Sequence, residues 1–380
     1  MLSEPTYLAA RMVASTIEEH FEKHIEAARL QGEVDLADNP GAEIIEAAID
    51  VAFWASLRRE EGRPPRVSLA LLQPSQCEQP LAFGRKIRLT PKNLIKLAPA
   101  VEQPGIHLGV WRENDGLYIW GTTHTIPGIC FVLEVAEPGL LVIKHKRTDG
   151  FGKFVNVAIL KGDDVKIVDE RTSGLGDCPE LLTSLLGLPL PYKTESNVNV
   201  LVQLAASMRL HGRGGLVVVV PPHSERWRDS IVQPISYPVH PPYTAITDLL
   251  RREAEDGDTL EWQEALLESI KIIGGFTAVD GATVLTRNHE LLAFGAKIAR
   301  SENSVPVEQL IITEPVVEGK AERIHPSQNG GTRHLAAAQF VHDQHDSIAL
   351  VASQDGHFTI FSWSEKLQIV HAHRIDILLL

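Results

Sequence analysis

Cysteine is scarce in this chain. Its 380 residues include three, Cys77, Cys130 and Cys178, set far apart and forming no CxxC pair. Disulfide frameworks and zinc fingers need closely set thiols, so neither is expected, and a reducing cytoplasmic setting is the expectation. No apolar run reaches the roughly 18 residues of a membrane span, so no membrane partner is expected. The opening Met1-Leu-Ser-Glu-Pro5 lacks the basic lead of a secretory signal, which points the same way. Basic residues are in deficit too: 36 Lys and Arg stand against 49 Asp and Glu, a net charge of −13. That balance disfavours long nucleic acids and leaves room only for a local basic pocket around a nucleotide. At 380 residues the chain is long enough for two domains or one large one, and its 44% hydrophobic share is ordinary for a globular protein.

Apolar residues recur at helical spacing from about Thr6 to Leu30 and from Ala42 to Arg59. Each helix is charged on its other face, which suits packing or oligomerisation. From Val67 the pattern becomes that of strands, over Val67–Leu72, Lys86–Leu89, Ile106–Trp111, Leu117–Trp120, Ile129–Val135, Leu140–Lys144, Phe154–Leu160 and Val165–Asp169. Trp111, Trp120 and Phe131 fall at strand spacing and read as sheet-face packing. Lys144-His-Lys-Arg147 reads as a solvated hairpin end. The Gly-, Pro- and Leu-rich segment Thr172–Lys193 marks a boundary. It divides an N-terminal α+β domain with a helical lead-in, residues 1–192, from a C-terminal domain, residues 193–380.

Beyond the boundary a helix is predicted over Val198–Leu210, then a buried strand, Leu216-Val-Val-Val-Val220. A long helix is predicted over Ala245–Ile273, strands over Thr277–Thr286 and Leu291–Lys297, a helix over Leu335–Val341, and strands over Ser347–Ala352 and Phe358–Trp363. Alternating strands and helices give an α/β class, a mixed sheet flanked by helices. The hairpins Leu108–Trp120 and Ala282–Phe294 look alike, but hairpins often do, and with no short-period repeat beside them they are only a weak sign of a duplicated domain.

Two short segments carry chemistry. Gly330-Gly331-Thr332-Arg333-His334 precedes the alanine-rich run from Leu335. Glycines let a backbone approach closely, first-turn N–H groups point at an anion, and cationic side chains neutralise its charge, so this is a phosphate cradle at a helix start. Val279-Asp280-Gly281-Ala282 sets a carboxylate at the mouth of an apolar strand, where it suits a divalent ion held on phosphates. Together they suggest a nucleoside triphosphate site. The histidines His342, His345, His357, His371 and His373 are dispersed and contain no HxxxH pair joined to an acid, so they read as surface residues.

In order, these segments resemble the DisA-type diadenylate cyclase (DAC) domain over roughly residues 195–365. Gly212–Pro221 is similar to the family's glycine-led first core strand, with the Trp227 loop after it. Asp280-Gly281-Ala282, following Leu266-Leu-Glu-Ser-Ile, matches the DGA motif. Gly331-Thr332-Arg333-His334-Leu335-Ala336-Ala337 matches GTRHRAA except at Leu335. Val351-Ala-Ser353-Gln354-Asp355-Gly356 falls where the family has a Val-Ser-Glu-Glu type turn. The position of the N-terminal half resembles that of DACNV-class sensor modules, which implies a regulatory sensor domain.

The resemblance implies condensation of two ATP molecules into cyclic di-AMP with release of pyrophosphate. Asp280 would bind Mg²⁺ or Mn²⁺, with Asp355 the remaining carboxylate of the last turn. Thr332, Arg333 and the Gly331 backbone would hold the triphosphate, with His334 beside it as a donor. Ser353 would contact phosphate, and Gly281 and Ala282 would keep the wall close to the nucleotide. Ser353 also has a plain reading as a turn residue. Each domain of the family holds one ATP, so two domains must face one another in a homo-oligomer, at least a dimer.

Two departures keep a second reading open. Leu335 removes a cation from the anion pocket, and Gln354 removes an acid from the last turn. The segment between Lys297 and Gly330 is longer than the family's connection and could be a lid or a partner surface. A catalytically inactive sensor that binds ATP or a cyclic nucleotide is the alternative to a cyclase, and an adaptor in which both halves mediate assembly is a third.

Overall fold

A computed structural model describes residues 5–113, 116–148, 154–169, 200–256 and 260–379. The chain divides into two compact units between Val168 and Asp169. The expected junction within Thr172–Lys193, the third cysteine Cys178 and the centre of the Glu113–Gly116 turn lie outside the described residues. Among the described residues no helix is long and apolar enough to cross a membrane.

The first unit opens with α1 (Leu8–Leu30) and α2 (Ala42–Ser56). Ile17, Phe21, Ile25 and Ala28 are buried on one face of α1, following the helical repeat. They share a core with Ile45 and Ile49 of α2 and with Leu69, Leu71, Phe131 and Leu133 from the sheet. A fully buried side chain such as Phe21 contributes roughly 1.5–3 kcal/mol by removal from water. The sheet has eight strands: β1 (Val67–Leu71), β2 (Leu81–Arg88), β3 (His107–Glu113), β4 (Gly116–Thr123), β5 (Phe131–Glu137), β6 (Leu140–Lys146), β7 (Phe154–Lys161) and β8 (Asp164–Ile167). Helix α3 (Pro91–Leu97) connects β2 to β3. It starts where Thr90 Oγ1 accepts the Asn93 N–H at 3.2 Å and proline occupies the first turn. On the opposite sheet face Trp120 is buried and donates its indole N–H to the Leu72 carbonyl at 2.8 Å. Cys77 and Cys130 are free thiols, and burial pushes the Cys130 thiol up, which leaves it protonated and inert.

The second unit contains α4 (Val200–Leu210), β9 (Gly215–Val220), β10 (Tyr237–Tyr243), α5 (Ala245–Asp256), α6 (Leu260–Phe276), β11 (Ala282–Thr286), β12 (Leu291–Ala296), β13 (Leu310–Thr313), β14 (Glu322–Ile324), α7 (Thr332–Asp343), β15 (Ile348–Ala352), β16 (Phe358–Ser364) and β17 (Ile369–Arg374). Every residue of β9 is buried, as a central strand covered on both faces requires. Leu216, Val218 and Val220 pack with Ala337, Phe340 and Val341 of α7, and Val217 and Val219 alternate to the other face.

The structure corrects two sequence expectations. The long helix over Ala245–Ile273 is two helices, α5 and α6. Residues Thr277–Gly281, expected as strand, form turns. There the Thr277, Ala278 and Val279 N–H groups bond back to Gly274, Gly275 and Phe276, so the helix end takes up the backbone groups a strand would need. The segment between Lys297 and Gly330 holds β13 and β14, which join the sheet beyond β17.

The two sheets share a connectivity. Strands run in the order β2-β4-β3-β1-β5-β6-β7-β8 in the first and β10-β12-β11-β9-β15-β16-β17-β13-β14 in the second. In each, the first strand pairs in parallel with the third (β1 with β3, β9 with β11). On its other side it pairs antiparallel with the start of a meander, β5 or β15. The similar hairpins are thus equivalent members of two sheets of like topology. The second unit places β13, β14 and α7 between strands where the first has only a short loop.

Candidate functional site

Pairing register brings three separated segments to one end of the second sheet. β9 and β11 are parallel, with Leu216 opposite Ala282, so Gly214 and Asp280 lie at neighbouring strand entries. β15 is antiparallel to β9, with Ala352 opposite Gly215, so its exit into Ser353–Asp355 falls at the same end. Helix α7 starts there as well: Arg333 Nη2 lies 4.0 Å from Asp280 Oδ1. A Cβ placed on Gly214 would be 3.0 Å from Arg333 Nη1 and 3.4 Å from Gln354 Cγ.

Asp280 is almost fully in water, 95% exposed, against 32% for Arg333. An exposed pair at that separation adds little stability, so both groups remain available to a ligand. Gly281 has φ +106°, and a Cβ there would stand 2.5 Å from the Gly295 carbonyl carbon. Backbone packs against backbone at that point, and only glycine fits. Ala282 is fully buried with its methyl in the core, which leaves the surface of this turn to Asp280 and Gly281.

Gly331 is the N-cap of α7 and no side chain caps it. The first-turn N–H groups of Thr332 and Arg333 have no intrahelical acceptor and point outward with the positive end of the helix dipole. Thr332 is exposed. His334 is 4% exposed and lies against Gly330, where a Cβ would come within 2.5 Å of its Nδ1. Burial, then the Arg374 and His357 charges, push its pKa down to about 4, against a smaller opposing pull from Asp376. His334 is therefore a neutral imidazole near pH 7, with a hydrogen bond to offer but no charge.

Ser353 Oγ accepts the His357 N–H at 3.1 Å, so this hydroxyl shapes the turn. Asp355 is exposed at its tip. Gln354 donates its amide to the Arg213 carbonyl at 3.3 Å, tying the turn to the entry of β9. Leu335 is 39% exposed. It lines a groove of about 350 Å³ with Ile298, Pro306, Val307 and Gln339. Among the described residues, neither Asp280 nor Asp355 joins a cluster of three or more metal-ligating side chains. A lone exposed carboxylate fits a hard divalent ion whose other ligands are phosphate oxygens and water.

The C-terminal histidines scatter as expected, but two are not on the surface. His371 and His373 are buried on β17, where both rings face the Thr313 hydroxyl at 3.0 and 3.2 Å. His345 stacks on Trp363, and His357 pairs with Asp376 at 2.7 Å. In the first unit Lys144–Arg147 is not a solvated hairpin end. Lys144 pairs with Glu134, Lys146 donates to the Ile126 carbonyl, and His145 is buried on β6. The sequence reading also passed over His20-Phe-Glu-Lys-His24 in α1, whose i, i+4 spacing puts two imidazoles on one helix face.

Residues 34–124 match a family model described as "Probable sensor domain DACNV". The match spans α2 to β4 and leaves out α1 and β5–β8. It supports a sensor role for the N-terminal unit. No curated protein matches the chain.

Proposed function

We propose that the C-terminal unit is a diadenylate cyclase controlled by the N-terminal sensor unit. The observation that supports this best is the approach of Arg333, at the start of α7, to Asp280, at the entry of β11. It unites the two motifs that resemble the DAC domain at one end of one sheet.

In this reading Arg333 and the open N–H groups of Thr332 and Arg333 bind the triphosphate, and Asp280 supplies the carboxylate for Mg²⁺ or Mn²⁺. A bound ion there would supply charge neutralisation at the phosphates. Gly281 and Gly331 present bare backbone to the nucleotide, and neutral His334 offers a hydrogen bond without adding charge. Two such units face one another across a two-fold axis. The 3′-hydroxyl of one ATP attacks the α-phosphorus of the other, forming a P–O bond as the bond to pyrophosphate breaks. Two transfers yield one cyclic di-AMP and two pyrophosphates. Positioning and charge neutralisation account for most of this chemistry.

The second reading is a nucleotide sensor without turnover. It is favoured by Leu335, which presents an apolar side chain to a groove where the family has a cation, and by Gln354, whose amide is engaged with Arg213. Incubation with ATP and Mn²⁺, with bound and released nucleotides analysed separately, distinguishes the two. Released cyclic di-AMP supports the cyclase; bound ATP recovered unchanged supports the sensor.

A further inference from the structure

We infer that the N-terminal unit holds a divalent transition-metal ion between α1 and β6, ligated by His20, His24 and His145. Their ligand atoms all lie within 4.8 Å of one another. His20 and His24 sit one turn apart on α1, with ring centroids 4.2 Å apart, and the His145 ring lies 5.3 Å from His24 and 5.7 Å from His20. Three nitrogens on a tetrahedral ion at about 2.0–2.1 Å are separated by about 3.3 Å, so modest side-chain rotation closes the set.

The surroundings suit a metal ligand. His145 Nδ1 lies 3.1 Å from the Lys146 carbonyl. A carbonyl only accepts, so Nδ1 carries the proton and Nε2 carries the lone pair. A backbone carbonyl orienting one ring nitrogen so that the other can bind metal is the usual second layer of such sites. The Phe21 ring meets the His145 ring edge-on at 6.0 Å and fixes its plane. His145 is buried and the two helix histidines are half-buried, so one vertex remains open to water or an exogenous ligand.

Three imidazoles with no carboxylate select a borderline ion such as Zn²⁺, Co²⁺ or Ni²⁺ over Mg²⁺, Mn²⁺ or Ca²⁺. Among the described residues no other group of three His, Cys, Asp or Glu side chains converges in this way. All three ligands lie outside residues 34–124, the stretch that matches the sensor family. Binding would pin α1 to the sheet. The inference is independent of the cyclase proposal, which concerns other residues and a hard cation.

The test uses the full chain, stripped with a chelator and titrated with Zn²⁺ against a chromophoric competitor, with bound metal counted by mass spectrometry. One tight equivalent per chain is expected, together with a rise in melting temperature. In His20→Gln/His24→Gln, which alters only half-buried positions, that equivalent should weaken by about 100-fold or more and the thermal shift should vanish. His145→Gln should do the same, and circular dichroism of the double variant guards against mistaking unfolding for lost binding. A wild-type chain that takes up no zinc at micromolar concentrations overturns the inference. So does a folded double variant that keeps the tight equivalent, since the ion would then sit on other histidines.

Discussion

Arg333 reaches across the end of the C-terminal sheet to place its guanidinium 4.0 Å from the carboxylate of Asp280, which is itself 95% exposed. A surface pair of this kind is worth roughly 0–1 kcal/mol, so the fold has little stake in it. Its position at two strand entries and a helix start is the basis of the ligand-binding role proposed for it. Asp280→Asn is therefore predicted to leave the melting temperature within a degree or two of wild type. Turnover of ATP should fall about 100-fold or more. Calorimetry beside an activity assay checks this, and a variant that turns over at the wild-type rate removes Asp280 from the mechanism.

The two glycines at this end of the sheet should respond to substitution by very different amounts. Gly281→Ala forces a Cβ against the Gly295 backbone at φ +106°. A cost of about 2 kcal/mol or more is expected, because neither backbone can yield. Gly331→Ala meets nothing within 4 Å and should cost less than about 1 kcal/mol. Urea denaturation of both variants decides the matter, and equal costs would show that the Gly281–Gly295 contact is not tight.

Stability should depend on pH through His334. Its folded pKa of about 4 lies below the ordinary value near 6.5, so the unfolded chain binds more protons between those limits. The contribution is fully present above pH 6.5 and declines as the pH falls towards 4, by about 3 kcal/mol at most. His334→Gln removes this group from the balance. Denaturation at pH 7 and pH 4.5 should show a smaller loss in the variant than in the wild type. An equal loss in both proteins contradicts the account of a buried, neutral imidazole.

Leu335→Arg should add a cation beside the open end of α7. An exposed charge next to phosphate is worth roughly 0.2–1 kcal/mol, so ATP should bind up to a few-fold more tightly. The gain should shrink at high salt. Titration at two ionic strengths reads both effects. No change in affinity would place position 335 outside the reach of the phosphates.

Much of this was legible in the sequence, and the failures have physical causes. The all-buried β9 announces itself as an unbroken Val run, and the segments around Asp280 and Arg333 are visible as motifs. Their adjacency is not, because it depends on the parallel pairing of β9 with β11. Strand β10 (Tyr-Pro-Val-His-Pro-Pro-Tyr) was hidden by its prolines, which an edge strand tolerates and a central strand does not. His145 sits among lysines and an arginine, so the segment read as solvated, although strand alternation turns the imidazole inward. His20 and His24 were lost in the charged pattern of α1. The shared connectivity of the two sheets leaves only a faint trace, the likeness of the hairpins Leu108–Trp120 and Ala282–Phe294, because topology depends on which strands pair and not on their composition.

The proposed activity of the C-terminal unit is the joining of two ATP molecules. The most direct measurement is a mass-spectrometric time course of the full chain with ATP and Mn²⁺, at concentrations where light scattering shows a dimer, with Asp280→Asn alongside. Cyclic di-AMP and pyrophosphate should accumulate in a one-to-two ratio with the wild type and not at all with the variant. ATP remaining intact with both proteins, under saturating nucleotide and metal, contradicts it.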